Sequence, residues 1–198
     1  MTAIGFSGLL PFLESHKLQA TNDLQQYFTN YTGRWFEYFS VRSDPLHLNA
    51  NDIAACGALS VQLKGKVIDG LMSNADRIDA LLADCPAPGI ALWDVDPDSP
   101  EYQAISDLYK TIRKIDGMGK VRTSKLLACK RPHFVPIRDQ VVEALLGGGK
   151  AWWQQWSDVA ANTAVHELVD EVTPANVPPG TSILRRLDVI LWMHGQSG

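Results

Sequence analysis

Through most of the chain, apolar residues recur every three or four positions, which is the spacing of helices that bury one face. Leu24, Tyr27, Phe28 and Tyr31 form the first clear stripe, and Gly33 ends it. Similar stripes predict helices within residues 53–63, 66–84, 101–115, 121–129, 140–146, 163–172 and 183–192. No segment alternates apolar and polar residues as a half-buried strand does, and no internal repeat is found. The pattern therefore predicts an all-α fold of about eight or nine helices.

The first 20 residues break this pattern. They contain Gly5, Gly8 and Pro11 and show no helical stripe, so residues 1–20 are expected to form an irregular arm. Residues 21–198 are expected to form a single compact domain, because a chain that is 45% hydrophobic can bury a sizeable core at this length.

No export signal or membrane span is predicted. The first 20 residues lack a basic region followed by a long apolar run, and no stretch approaches the ~18 apolar residues of a spanning helix. The three cysteines, Cys56, Cys85 and Cys129, are odd in number and widely spaced, as buried thiols in a reducing compartment are. We therefore expect a cytoplasmic protein without a membrane partner.

The sequence offers no metal-binding motif. It contains no CxxC, no HExxH and no cluster of four cysteines, so neither a zinc site nor an iron–sulfur cluster is predicted. The acidic run in residues 94–100 lacks the ligand spacing of a calcium loop. No cofactor is expected.

The most informative segment is a pair of helices joined by glycines. One helical stripe ends at Ile115, Gly117-Met118-Gly119 follows, and a second stripe runs through residues 121–129. Glycines at these positions allow φ > 0 and expose backbone N–H groups at the positive end of the second helix. Such a turn can hold a phosphate oxygen, so the segment predicts a helix-hairpin-helix that binds DNA.

Charge supports this interpretation. The segment from Lys110 to Arg138 holds half of the chain's 18 Lys and Arg residues and a single acid, Asp116, although the whole chain carries −4. Phosphate affinity depends on the local field of one face rather than on the total charge. The residues expected to contact DNA are Gly117, Gly119, Lys120, Arg122, Ser124, Lys125, Lys130, Arg131 and Arg138. Two alternatives remain: a turn between core helices with ordinary solvated lysines, and a hairpin that packs against a protein partner.

The run from Ile115 to Val142 resembles the helix-hairpin-helix of the base-excision DNA glycosylase superfamily. That pattern places a catalytic aspartate after the second helix, and Asp139 stands at the matching position. The position of the lysine nucleophile in glycosylases that also cut the backbone is Val121 here. The resemblance therefore implies a monofunctional enzyme, in which Asp139 stabilises a cationic sugar after the base is flipped out. Asp139 is also a favourable N-cap for the next helix, and the two roles are compatible.

A shorter match lies upstream. Leu59-Ser60-Val61-Gln62 looks like the segment that opens the catalytic core of the same superfamily, which implies that Ser60 and Gln62 approach the base. Alternatively, they are ordinary polar residues at a helix end.

The chain as a whole also resembles an actinobacterial family of proteins without assigned function. The residues that carry this likeness lie in Thr32-Gly33-Arg34-Trp35-Phe36, in residues 117–136 and in residues 182–192. This resemblance implies relatives but no activity.

Two groups outside the hairpin are assigned to the core. Trp152, Trp153 and Trp156 could stack on bases, but their clustering at helical spacing favours burial in the core. Asp188 lies among apolar residues and is expected to pair with an arginine, either Arg185 or Arg34.

Overall fold

The computed structural model describes residues 3–196, and within them the chain forms twelve α-helices, three short 3₁₀ segments and no strand. The all-α prediction is therefore confirmed. The helices are α1 Leu9–Ser15, α2 Lys17–Asn30, α3 Trp35–Ser40, α4 Ala50–Ala58, α5 Gly65–Met72, α6 Ala75–Asp84, α7 Pro100–Arg113, α8 Lys120–Lys130, α9 Gln140–Leu146, α10 Trp152–Ala160, α11 Thr163–Val172 and α12 Ile183–Gln196.

The chain divides into two compact units, where the sequence predicted one domain after residue 20. Unit 1 joins Met1–Tyr31 to Pro136–Gly198, and unit 2 comprises Thr32–Val135. Because unit 1 is assembled from both ends of the chain, its boundary depends on contacts between distant segments, which a local hydrophobic pattern does not reveal.

The expectation of an irregular arm over residues 1–20 was wrong for the described part of that segment. It forms α1 and the start of α2, since Leu9, Phe12 and Leu13 are buried at helical spacing. Pro11 lies in the first turn of α1, where an α-helix tolerates proline because no intrahelical acceptor exists for an N–H there. The glycines and the proline were therefore misleading signs of irregular structure.

In unit 1, α12 carries a buried ion pair. Arg185 Nη1 donates to Asp188 Oδ2 at 2.6 Å, and Arg185 Nη2 donates to the Tyr27 hydroxyl at 2.7 Å. Asp188 is 4% exposed. The predicted pairing of Asp188 with an arginine is confirmed, and Arg185 is the partner.

Two of the three tryptophans of α10 belong to the core of unit 1. Trp152 and Trp156 are each 1% exposed, and the ring of Phe6 meets both edge-on at centroid distances of 5.5 and 5.7 Å. The core prediction is confirmed for these two rings, which removes them as stacking surfaces for bases, whereas the third, Trp153, is partly exposed.

In unit 2, α8 is the central helix and packs against α3, α4 and α7. Every residue from Thr123 to Lys130 is buried. A helix buried on all sides exposes only its ends, so the first turn of α8 is the part that can meet a ligand.

Candidate nucleic-acid interface

The hairpin turn, residues 114–119, connects α7 to α8. Gly117 adopts φ 85°, whereas Gly119 has φ −83° and is the N-cap of α8. Between them Met118 is 3% exposed and so anchors the turn in the core of unit 2. Only the first glycine takes the left-handed conformation.

Gly117 is also constrained by close packing. A Cβ atom at this position would lie 2.7 Å from Val67 Cγ2 of α5, which is closer than carbon atoms approach. Gly119 has nothing within 4 Å of the equivalent point and is exposed. The first glycine therefore shapes the turn, and the second leaves the backbone open to solvent.

The first turn of α8 has the features of an anion-binding helix start. The earliest hydrogen bond of the helix joins Thr123 N to Gly119 O at 3.0 Å, and the first turn contains no acidic residue. As at any α-helix start, the N–H groups of this turn have no acceptor within the helix, and the helix dipole makes this end positive. A phosphate oxygen fits this environment.

Cations surround this end of α8. Arg113, Lys114 and Lys120 are exposed. Arg122 is half-buried, and its Nη1 donates to the carbonyl oxygen of Gly117 at 2.5 Å. Arg122 thus holds the hairpin turn in place, while the other three project charge into solvent.

Two lysines beside the hairpin turn were not predicted. Lys64 and Lys66 lie at the start of α5, and Lys66 Nζ is 2.5 Å from Asp116 Oδ2 in an ion pair whose side chains are 80% and 77% exposed. The hydrogen bond from Lys66 lowers the pKa of the Asp116 carboxyl. Only the tertiary packing of α5 on the turn brings these residues together, so no local signal in the sequence identifies them.

Four of the predicted DNA contacts have buried side chains. Lys125 is 6% exposed, and its Nζ donates to the carbonyl oxygen of Leu59 at 3.1 Å. Ser124 is fully buried, and its hydroxyl donates to the carbonyl oxygen of Val121 at 3.0 Å. The other two, Lys130 and Arg131, are described below. These side chains do not face solvent in this structure.

Lys130 lies at the centre of a buried polar cluster in unit 2. Its Nζ lies 2.7 Å from Asp52 Oδ2, with the two side chains 0% and 1% exposed. The same ammonium donates to the Ser43 hydroxyl at 2.8 Å and to the carbonyl oxygens of Asp44 and His47 at 2.6 Å each. Lys130 therefore fixes the segment between α3 and α4 onto α8.

Arg131 is equally inaccessible, at 1% exposure. Its guanidinium donates to the carbonyl oxygens of Pro45 at 2.8 Å and Leu82 at 2.7 Å. Burial lowers the pKa of this arginine. The contacts indicate a structural role.

Arg138 lies in unit 1, where its guanidinium contacts three neighbouring residues. Its Nη1 is 2.6 Å from Glu143 Oε1, its Nη2 donates to the carbonyl oxygen of Gly149 at 2.9 Å, and its guanidinium lies 4.9 Å from the Trp152 ring centroid. The side chain is 14% exposed.

Asp139 is the N-cap of α9 and belongs to unit 1, whereas the hairpin turn belongs to unit 2. Its Oδ1 accepts a hydrogen bond from Val141 N at 3.1 Å. The capping alternative is therefore realised in the structure. The catalytic role of Asp139 stays a prediction.

Ser60 and Gln62 are exposed and follow the end of α4. The helix ends at Ala58, earlier than the predicted Leu63, because Ser60 takes the left-handed conformation with φ 60°. Val61 N then bonds to Cys56 O at 3.0 Å, which closes the end of the helix. The Lys125 ammonium, bound to Leu59 O, ties this segment to α8.

The cysteines are buried and unbonded to one another. Burial raises the pKa of Cys56 to about 12 and that of Cys85 to about 11, and it also raises the pKa of Cys129. Thiols in this state are poor nucleophiles.

Within residues 3–196, no group of three or more His, Cys, Asp or Glu side chains is placed to hold a metal ion. None of the helices in that same span is long and apolar enough to cross a bilayer.

Comparison with curated proteins and with solved structures finds no match to the chain. A family comparison matches residues 20–195, which include every helix from α3 to α11 and all the residues of the hairpin turn. The chain accordingly belongs to the family of unknown function DUF6308.

Proposed function

We propose that the protein binds DNA through the hairpin turn and the first turn of α8. The observation that carries this proposal is the exposed Gly119 N-cap, which opens a helix start without acids and is bordered by exposed Arg113, Lys114 and Lys120. Backbone N–H groups and nearby cations together form the usual phosphate contact of such a turn. The likeness of the sequence to the helix-hairpin-helix of DNA glycosylases supports the same assignment.

The proposed interface is smaller than the sequence alone suggested. Lys125, Lys130, Arg131 and Ser124 are buried, so the proposal gives them structural roles. The proposal instead includes Lys64 and Lys66 at the margin of the interface, since both are exposed and lie beside the hairpin turn. The contact should therefore depend on few phosphates, with a modest salt dependence.

Charge reversal tests the proposal. Fluorescence anisotropy with a labelled duplex would compare the wild type with the Arg113→Glu/Lys120→Glu variant across a series of salt concentrations. We expect the variant to bind at least tenfold more weakly and the slope of log K against log salt to fall by about 2, since each lost phosphate contact removes about one unit. The control is Lys17→Glu/Lys150→Glu, which changes the total charge equally but lies in unit 1.

If both variants lost the same DNA affinity, the loss would follow from the change in total charge. That result would contradict an interface at the hairpin turn. No binding of the wild type at low salt would favour the alternative function, a protein-interaction domain whose lysines are merely solvated.

A monofunctional glycosylase activity is the enzymatic extension of this proposal. Ser60 supports it, because a residue other than glycine in the left-handed conformation is a strained feature of the kind that clusters at functional sites. Ser60 is exposed and is one of the two residues expected near the base. In this extension Asp139 stabilises the cationic sugar, and no lyase step follows because Val121 replaces the nucleophilic lysine.

Asp139→Asn separates catalysis from capping, since asparagine caps helices about as well as aspartate. Duplexes with damaged or mismatched bases would be incubated with each protein and treated with alkali to cut abasic sites. Base release by the wild type, lost in Asp139→Asn with unchanged DNA affinity and melting temperature, would support the enzyme. Binding without base release on any substrate would leave a non-enzymatic DNA-binding module.

A further inference from the structure

Unit 2 carries a second surface that the hairpin turn does not use. On α3 and just after it, Trp35, Tyr38 and Val41 are 45%, 45% and 74% exposed. Arg34 and Arg42 border them in the sequence. We name these five residues the aromatic–arginine patch. Exposed large apolar groups that lie together mark a binding surface more often than single ones do.

The rings of the patch are arranged with their arginines. The Arg42 guanidinium lies 3.6 Å from the ring centroid of Tyr38, and that of Arg34 lies 5.2 Å from the ring of Trp35. The two rings meet edge-on at 5.6 Å. Each aromatic side chain is thus paired with a cation, which is a cation–π arrangement.

The patch is held on a firm base. Phe36 and Glu37 of α3 are 2% and 8% exposed, so the opposite face of the helix is buried in unit 2. The Ser40 hydroxyl donates to the carbonyl oxygen of Cys129 at 2.8 Å, which fixes the end of α3 to the end of α8. Arg42 Nη1 also donates to the carbonyl oxygen of Tyr38 at 2.8 Å. Because these contacts already order α3 and Arg42, binding a ligand here should cost little conformational entropy.

The charge of the patch favours an anionic partner. Between residues 34 and 43 the sequence contains one acid, Glu37, and its side chain is buried. Asp44 follows and is exposed, and the hydrogen bonds from Leu46 N and His47 N lower the pKa of its carboxyl, so it remains an anion that the two arginines of the patch outnumber. Exposed aromatic rings beside guanidinium groups suit a partner that presents flat rings and negative charge together.

We propose that the aromatic–arginine patch binds unpaired nucleotides of a single-stranded nucleic acid. The bases stack on Trp35 and Tyr38, and Arg34 and Arg42 contact the phosphates on either side. Stacking on exposed aromatic rings within a positive surface is the general mode of single-strand binding without sequence preference. The patch adjoins the end of α8, whereas the hairpin turn lies at its start, which is about 16 Å away for an 11-residue helix.

This inference goes beyond the proposed function, because it concerns a different surface and a different form of nucleic acid. The two surfaces can be tested independently. Anisotropy would be measured with a labelled 12-mer of thymidine and, in parallel, with a labelled duplex.

Trp35→Ala/Tyr38→Ala is expected to bind the 12-mer at least tenfold more weakly and to keep its duplex affinity. Arg34→Gln/Arg42→Gln should also weaken binding of the 12-mer and reduce the salt dependence of that binding. Leu18→Ala/Ile90→Ala is the matched control, since both residues are exposed apolar side chains elsewhere. Trp35→Phe, which keeps a ring, should bind more tightly than Trp35→Ala. Thermal unfolding would confirm that each variant is folded, and if the aromatic double variant is not, the arginine variant decides the matter.

Unchanged 12-mer affinity in folded variants, or no 12-mer binding by the wild type, would overturn the proposal. A concentration-dependent dimer in sedimentation that Trp35→Ala/Tyr38→Ala abolishes would also overturn it, because a second copy would then occupy the patch. Loss of duplex binding in Arg113→Glu/Lys120→Glu without loss of 12-mer binding would show that the two surfaces act separately.

Discussion

Replacing Lys130 by methionine removes the ammonium that holds the segment between α3 and α4 onto α8. The side chain is 0% exposed, and its loss leaves Asp52, at 1% exposure, without its cationic partner. Removing one member of a buried ion pair costs about 3–5 kcal/mol, because the remaining charge is left in a dry environment. Asp52 still accepts hydrogen bonds from Asn49 N and the Ser43 hydroxyl, so we expect a value near the lower limit, about 3 kcal/mol.

Urea unfolding followed by circular dichroism would measure the change in free energy of unfolding. A loss of about 3 kcal/mol corresponds to a fall in melting temperature of roughly 6–12 °C for a chain of this length. Lys114→Met is the matched control, since it removes an exposed lysine of the same charged segment and should change stability by less than about 0.5 kcal/mol.

The double variant Asp52→Asn/Lys130→Met completes a thermodynamic cycle. Because it removes both charges, we expect it to be less destabilised than the sum of the two single variants. A loss under about 1 kcal/mol in Lys130→Met would contradict the reasoning, and it would return Lys130 to the set of residues available to DNA.

Further predictions concern the hairpin turn, the end of α4 and two groups of titratable side chains. Gly119→Ala has space for its methyl group and should weaken DNA binding with a loss of less than about 1 kcal/mol in unfolding free energy, whereas Gly117→Ala should unfold at a clearly lower urea concentration. Ser60→Gly should stabilise the protein by about 0.5–1 kcal/mol by removing the left-handed strain, and a loss of stability would argue against that strain. The three thiols should react with a disulfide reagent only after urea is added, since all are buried; fast reaction of the native protein would be inconsistent with their burial. Burial and a neighbouring histidine lower the pKa of His194, so acidification from pH 7 to 5 protonates the unfolded chain first and destabilises the native state; His194→Gln should unfold with a smaller pH dependence over that range.

The apolar periodicity predicted the fold class correctly, because a helix that buries one face carries a repeating apolar stripe. It failed for α1, whose buried apolar residues Leu9, Phe12 and Leu13 were not recognised as a helical stripe because Pro11 lies among them. Because α1 begins at Leu9, Pro11 lies in its first turn, where a helix tolerates proline. The sequence alone does not show where the helix begins, so it does not show that this proline is tolerated.

The sequence overestimated the exposed charge of the predicted site. A count of basic residues cannot show that α8 is the central helix of unit 2, because this depends on packing against α3, α4 and α7. Lys130 forms its ion pair with Asp52, and because the two residues are far apart in the sequence, no spacing rule predicts the pair. Lys66 was not predicted to lie at the site for the same reason: its ion pair with Asp116 depends on the packing of α5 on the hairpin turn, which the sequence does not show.

The central claim is that DNA contacts the hairpin turn and the first turn of α8. Amide chemical shifts of ¹⁵N-labelled protein, recorded during titration with a short duplex, test it most directly. The account predicts that the largest shifts occur at the amides of residues 117–122 and that they diminish as salt is added. Shifts confined to other surfaces, or none at low salt, would contradict it.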